Sequence, residues 1–293
     1  MPTIAAVLDD LAALPGVTEA IEAAREACTA LRWHPALRRR TAEAAAESTV
    51  RAARASAALA GGRFPVELVR DVARGAATFP DDPAGRTALG AVRAVAQAER
   101  LGTSWSRSPA QALARLHVVA AAGVVPDEAL GRPRRPGELP GDGADLLDAT
   151  AGPGQRATAE PVAAPDGAAL TARLAALADL LAAPPGSPAL VVAAVAHAEI
   201  MTARPFVAGN GVVARALCRS IVVTRGLDPT AVGVWEAALL ALGPRYPLAL
   251  AGYAVGGGDG VAEWLRTFAQ AVVDGAGEGR AVGDAVLAGR LPR

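Results

Sequence analysis

The sequence predicts an all-α protein, and three observations carry that prediction. Alternating runs of β-branched or aromatic residues, the mark of half-buried strands, do not occur. Windows rich in alanine and leucine, both strong helix formers, recur along the 293 residues. Between them stand clusters of Gly, Pro, Ser and Asp that stop one helix and cap the next.

Residues 1–95 read as a helical N-terminal region, punctuated by "LPG" near Pro15, "GGRFP" at Gly61–Pro65 and "FPDDPAG" at Phe79–Gly85. Asp81 or Asp82 stands where a cap is needed for the helix through "TALGAVRAVAQAERLG". "SPAQALARLHVVAAAG" follows, with Ser108 as cap and Pro109 at the first helical position. From about Pro126 to Gly167 the chain is crowded with Gly, Pro and Asp, too long for a simple connection and without periodicity. Helix resumes in "SPALVVAAVAHAEIMTA", capped by Ser187 ahead of Pro188. It stops before Pro205, because a residue preceding proline is pushed out of helical geometry. "GVVARALCRSIVVTRG" is the next helix, ended by Gly226. Further helices run through "TAVGVWEAALLAL", "RYPLALAGYAVG" and "GVAEWLRTFAQAVVDG", and residues 276–293 read as a weakly ordered tail.

Composition narrows the function. Aromatic residues make up only 3% of the chain, so the core must be built from Ala, Leu and Val. The 29 basic residues balance 29 acidic ones, and nothing draws the protein to nucleic acid or an anionic membrane. The most apolar windows, such as "PALVVAAVA", are too short to span a bilayer. The two cysteines, Cys28 and Cys218, match no metal spacing. With no signal peptide legible at the N-terminus, the expected setting is cytoplasmic and reducing.

One stretch carries chemistry: "HAEIMTARPFVAGNGVVAR", residues 197–215. Gly209, Asn210 and Gly211 precede a helix. Glycines let the backbone curl and a ligand approach, so that successive amides point into one concavity at the positive end of the helix dipole. A phosphate fits such a place. Arg215 lies one turn into the helix and leans back toward its N-terminus, and Arg219 follows on the same face. Gly-Asn-Gly is also an ordinary turn.

The whole stretch resembles the motif HPFx(D/E)GNGRxxR of the Fic (Fido) family, which transfers a nucleotide monophosphate from ATP onto protein hydroxyls. Pro205, Phe206, Gly209, Asn210, Gly211 and Arg215 match, and His197 matches the histidine of the preceding helix. "LARLHVV" to "LGRPR", with His117 and Arg134, is similar to the segment leading into the family's flap, and "RGLDP" onward to its C-terminal helices. The resemblance implies a Fido domain over about residues 96–275, with an irregular or short β-hairpin flap at about 131–165 and a homodimer formed through helices.

Three departures bear on function. The motif histidine, the family's general base, is Arg204; the motif acid, which holds Mg²⁺, is Ala208; the first motif arginine, a phosphate contact, is Val212. Arginine has no lone pair to offer at neutral pH, and alanine cannot ligate a metal. A fourth loss lies upstream. "ASAALAGG" resembles the family's inhibitory pattern S/TxxxE(G/N) at Ser56 and Gly61, with Ala60 where the glutamate stands.

The expected reading is a pseudoenzyme, impaired in adenylylation, that binds a nucleotide, phosphate or protein partner. Gly209, Asn210, Gly211, Arg215 and Arg204 would hold ATP or another nucleotide without Mg²⁺. Arg204 reads equally as a solvated loop residue. One rival is an active transferase with a relocated base and phosphates held by Arg204, Arg215 and Arg219. The other is a purely structural interaction protein. His197 and His117 read as core residues, His34 and Arg38–Arg40 as solvated surface, Glu199 as an exposed helix residue, Phe206 as a loop anchor, and Trp235, Tyr246, Tyr253 and Trp264 as core packing.

Overall fold

The computed structural model describes residues 3–141 and 163–290. Among them are thirteen α-helices and no strand. The N-terminal series is α1 (Ile4–Ala12), α2 (Val17–Arg32), α3 (Thr41–Leu59), α4 (Val66–Ala73), α5 (Pro83–Leu101), α6 (Ser104–Arg107) and α7 (Pro109–Ala121). After the irregular segment come α8 (Gly167–Leu181), α9 (Ala189–Ala203), α10 (Asn210–Thr224), α11 (Trp235–Ala241), α12 (Arg245–Val255) and α13 (Gly258–Leu287).

Local chemistry sets the helix ends. Asp82 caps α5 by accepting from the Gly85 amide at 2.7 Å, with Pro83 in the first turn. Gly61, at φ +93°, lets α3 close with a paired turn in which the Gly62 amide donates to Ala57 O and the Gly61 amide to Ala58 O. The α9 start lies one residue later than expected: Pro188, not Ser187, is its cap.

Helices α9 and α10 pack against each other at the centre, and twelve of the fifteen residues in each are buried. A helix that is apolar on every face is enclosed on every face. Helices α3, α5 and α7 cover α10; α8, α12 and α13 cover α9. One hydrophobic cluster runs from Leu8 to Val286, so helices on either side of residue 95 share a core.

Two expectations change. Residues 276–287 are not a weakly ordered tail: they continue α13, with Ala276, Val282 and Val286 buried. The residues that hold this end were expected on a solvated surface. His34 lies over Gly283, with Nε2 3.2 Å from Asp284 Oδ1, and Arg40 donates to the Val286 carbonyl. The flap at 131–165 is described only at its roots, which carry no strand; 142–162 lies outside the described residues.

Candidate functional site

The site begins where α9 must stop. Pro205 disfavours helical geometry at Arg204, and Arg204 turns left-handed at φ 44°, ψ 63°. Its neighbours hold that turn. The buried Arg134 donates Nε to Arg204 O at 2.7 Å and Nη2 to Ala203 O at 3.4 Å, and the Arg134 amide donates to Pro205 O at 2.7 Å. The same guanidinium reaches Glu138 O and Pro165 O, so one residue binds the turn and both roots of the flap.

Phe206 is buried and stacks on His117 with ring centroids 4.0 Å apart. His117 Nε2 lies 3.1 Å from Ala208 O and accepts nothing there; its Nδ1 accepts from the Gly131 amide at 2.9 Å. Only the tautomer with the proton on Nε2 satisfies both contacts. Burial lowers the imidazole to about 4, so it is neutral and structural. Asn210 closes the loop on itself: Oδ1 accepts from the Phe206 amide at 2.9 Å and Nδ2 donates to Phe206 O at 2.8 Å. Gly209, at φ +80°, then starts α10, whose first amides have no acceptor within the helix.

Over this turn lies a cavity of about 310 Å³. Gly209, Asn210, Gly211 and Arg204 border it on one side, and the end of α3 with Ala60, Gly61 and Arg63 on another. Arg63, Arg204 and Arg215 all line it, and the described lining contains no histidine, cysteine or carboxylate. The rest is largely apolar, with Leu59, Val124, Met201 and Val212. Such a cavity can hold an anion with an apolar body. The position of the motif acid, Ala208, adds no ligand for a cation, and no metal-binding cluster occurs among the described residues. A divalent metal therefore does not fit these residues.

Arg215 and Arg219 part company. Arg215 is 2% exposed and donates Nε to Ser56 Oγ and Nη2 to Ser56 O, both at 2.9 Å. Gly211 leaves it room, since a Cβ there would stand 3.1 Å from Nη1. Arg219, expected to share the phosphates, turns instead to the carbonyls of Ala231 and Gly233 and to buried Glu236 at 3.3 Å. It cannot serve the cavity. Burial raises the Glu236 carboxyl while Arg219 opposes the shift.

His197 is enclosed by Trp235, Tyr246, Trp264 and Phe268, with Nε2 2.6 Å from the Tyr246 hydroxyl. Burial, then the Arg215 charge, holds it well below the ordinary imidazole value. Glu199 is not freely exposed: its carboxylate meets Arg173 Nε and the Tyr253 hydroxyl, each at 2.6 Å. One contributor, Arg63, was not singled out from the sequence, where it lay in the "GGRFP" punctuation. Arg134 was singled out only through the resemblance, which gave no sign of its five carbonyl contacts.

No protein-family model matches the sequence, and no curated protein matches it. Solved structures do. A Fic family protein from Desulfovibrio desulfuricans G20 superposes with a TM-score of 0.65 at 20% identity, over 95% of this chain and 76% of that one. A fragment of Fic-1 from C. elegans superposes with a TM-score of 0.64 at 16% identity, over 93% of this chain and 73% of that one. The chain has the fold of Fic family proteins.

Proposed function

We propose that this Fic-fold chain is a metal-independent binder of a nucleotide or related phosphate, impaired in adenylyl transfer, acting in the cytoplasm through a protein partner. The observation that carries this reading is the cavity over Gly209–Gly211, lined by Arg63, Arg204 and Arg215 and by no described carboxylate or base. Arginines neutralise phosphate charge with strong, directed hydrogen bonds, which is the part of a bound metal's work that binding needs. Transfer needs a proton acceptor at the target hydroxyl. The chain's three histidines are His34, His117 and His197, and none borders the cavity. That weighs against a transferase with a relocated base, and the open cavity weighs against a purely structural role. No described helix is long and apolar enough to cross a membrane. The helix-mediated homodimer implied by the resemblance belongs to the same proposal.

Calorimetric titration with ATP, with and without Mg²⁺, tests it. Binding of equal strength in both conditions is expected. Binding that requires Mg²⁺, or metal-dependent labelling of a protein, would overturn it.

A further inference from the structure

We infer that Arg63, on the connection between α3 and α4, is the arm that takes the ligand's phosphate, supplying from the N-terminal region the contact that Val212 cannot make. The inference rests on the anion-binding reading above and deepens it by naming the residue on which affinity turns. Three arginines line the cavity, and Val212 lines it with them. Two of the three already have partners. Arg215 is held by Ser56 through Nε and Nη2, and Arg204 has an interaction of its own within the protein. Both add positive charge to the wall, but any hydrogen bond they give a ligand must share the guanidinium with a contact made before the ligand arrives. Arg63 is exposed and makes no hydrogen bond or ion pair with a described residue. A phosphate that meets it displaces water alone.

The base of that arm is fixed on both sides. Gly62 is buried, and its amide donates to Ala57 O at 2.8 Å. A Cβ at Gly62 would stand 2.8 Å from Ala84 O and 3.2 Å from the Ala88 methyl, so the connection lies directly on the first turns of α5. On the other side Phe64 packs on Phe79, with ring centroids 4.8 Å apart. With the chain held at 62 and 64, the ligand has only the side-chain rotamers of Arg63 to order, which lowers the cost of binding. The described lining carries no carboxylate to neutralise the arm, and Ala60 beside it ends in a methyl group. The cavity, about 310 Å³, sits at the small end of the ~300–1,000 Å³ range usual for ligand sites. Its apolar side at Leu59, Met201 and Val212 suits a planar or aliphatic body. The ligand class is a small phosphate ester of nucleotide size, taken without a divalent cation.

The test is calorimetry of the full chain with ADP in EDTA, on wild type, Arg63→Lys, Arg63→Gln and Arg63→Glu. Because Arg63 is exposed and bonded to no described residue, all three variants should keep the wild-type melting temperature. Arg63→Gln should weaken ADP binding about tenfold or more, the loss expected for one charged hydrogen-bonding arm. Arg63→Glu should weaken it further by repulsion. Arg63→Lys keeps the charge but not the planar fork, and should fall between wild type and Arg63→Gln. Wild-type affinity in Arg63→Gln and Arg63→Glu would overturn the inference while leaving the anion-binding reading in place. No binding of ADP to the wild type would overturn that reading itself, a result separable from loss in the variants alone.

Discussion

Replacing Arg215 by alanine should cost stability before anything else. The side chain is 2% exposed, and its partner Ser56 is 1% exposed. Two hydrogen bonds of 2.9 Å join them, one to Oγ and one to the main-chain carbonyl. A hydrogen bond to a charged group contributes roughly 1.5–3 kcal/mol, and an acceptor left unmet in the interior costs ~1–3 kcal/mol. Relief from burying the guanidinium offsets part of this. A net loss of roughly 3 kcal/mol follows, or a melting temperature lowered by ~6–12 °C for a chain of this size. Ser56→Ala removes only the hydroxyl and should cost less. In urea unfolding, the cycle of Arg215→Ala, Ser56→Ala and the double variant should give a coupling of at least ~1 kcal/mol. If Arg215→Ala instead unfolds within ~0.5 kcal/mol of wild type while ADP binding is lost, the assignment of Arg215 to the fold is refuted and it belongs to the ligand.

Three further outcomes are expected. His117 is neutral in the fold, with its value lowered to about 4, and titrates near 6.5 when unfolded; the stability this gives is complete above pH 6.5 and drains by roughly 3 kcal/mol as pH falls toward 4. Urea midpoints at pH 7 and pH 4.5 should show the loss, with buried His197 adding in the same direction, and His117→Asn should have a shallower slope; equal slopes would contradict the assignment. Ala60→Glu places a carboxylate beside the arginines of the cavity, and because Ala60 is exposed it should leave the melting temperature unchanged while weakening ADP at least tenfold in calorimetry. Arg134→Met removes donors to the carbonyls of Ala203, Arg204, Glu138 and Pro165, so amide hydrogen exchange over residues 203–208 should quicken while α5 keeps its protection.

Much of the site was legible residue by residue. The stop before Pro205, the left-handed glycine ahead of α10 and the burial of Phe206 follow from local rules about proline, glycine and large apolar side chains. That Arg204 and Ala208 themselves offer neither a base nor a metal ligand could be read directly, because arginine and alanine lack the chemistry in any surroundings. The direction of each arginine could not. Arg215 and Arg219 share a helical face by spacing, yet one meets Ser56, 159 positions away, and the other meets Glu236. The end of α13 was misread for a similar reason: four glycines between Gly275 and Gly283 lower helix propensity, while His34 and Arg40 hold the segment from more than 240 positions away.

The sequence by itself determined the helical class, the Gly-Asn-Gly turn ahead of α10 and the side chains present around it, since periodicity, turn chemistry and side-chain identity are local properties. Only the tertiary structure decided that the turn opens into a cavity, that Arg63 reaches its rim, and that Arg215 is held by Ser56. Those depend on which distant helices are packed together, and in a core built from alanine, leucine and valine no single pairing announces itself along the chain.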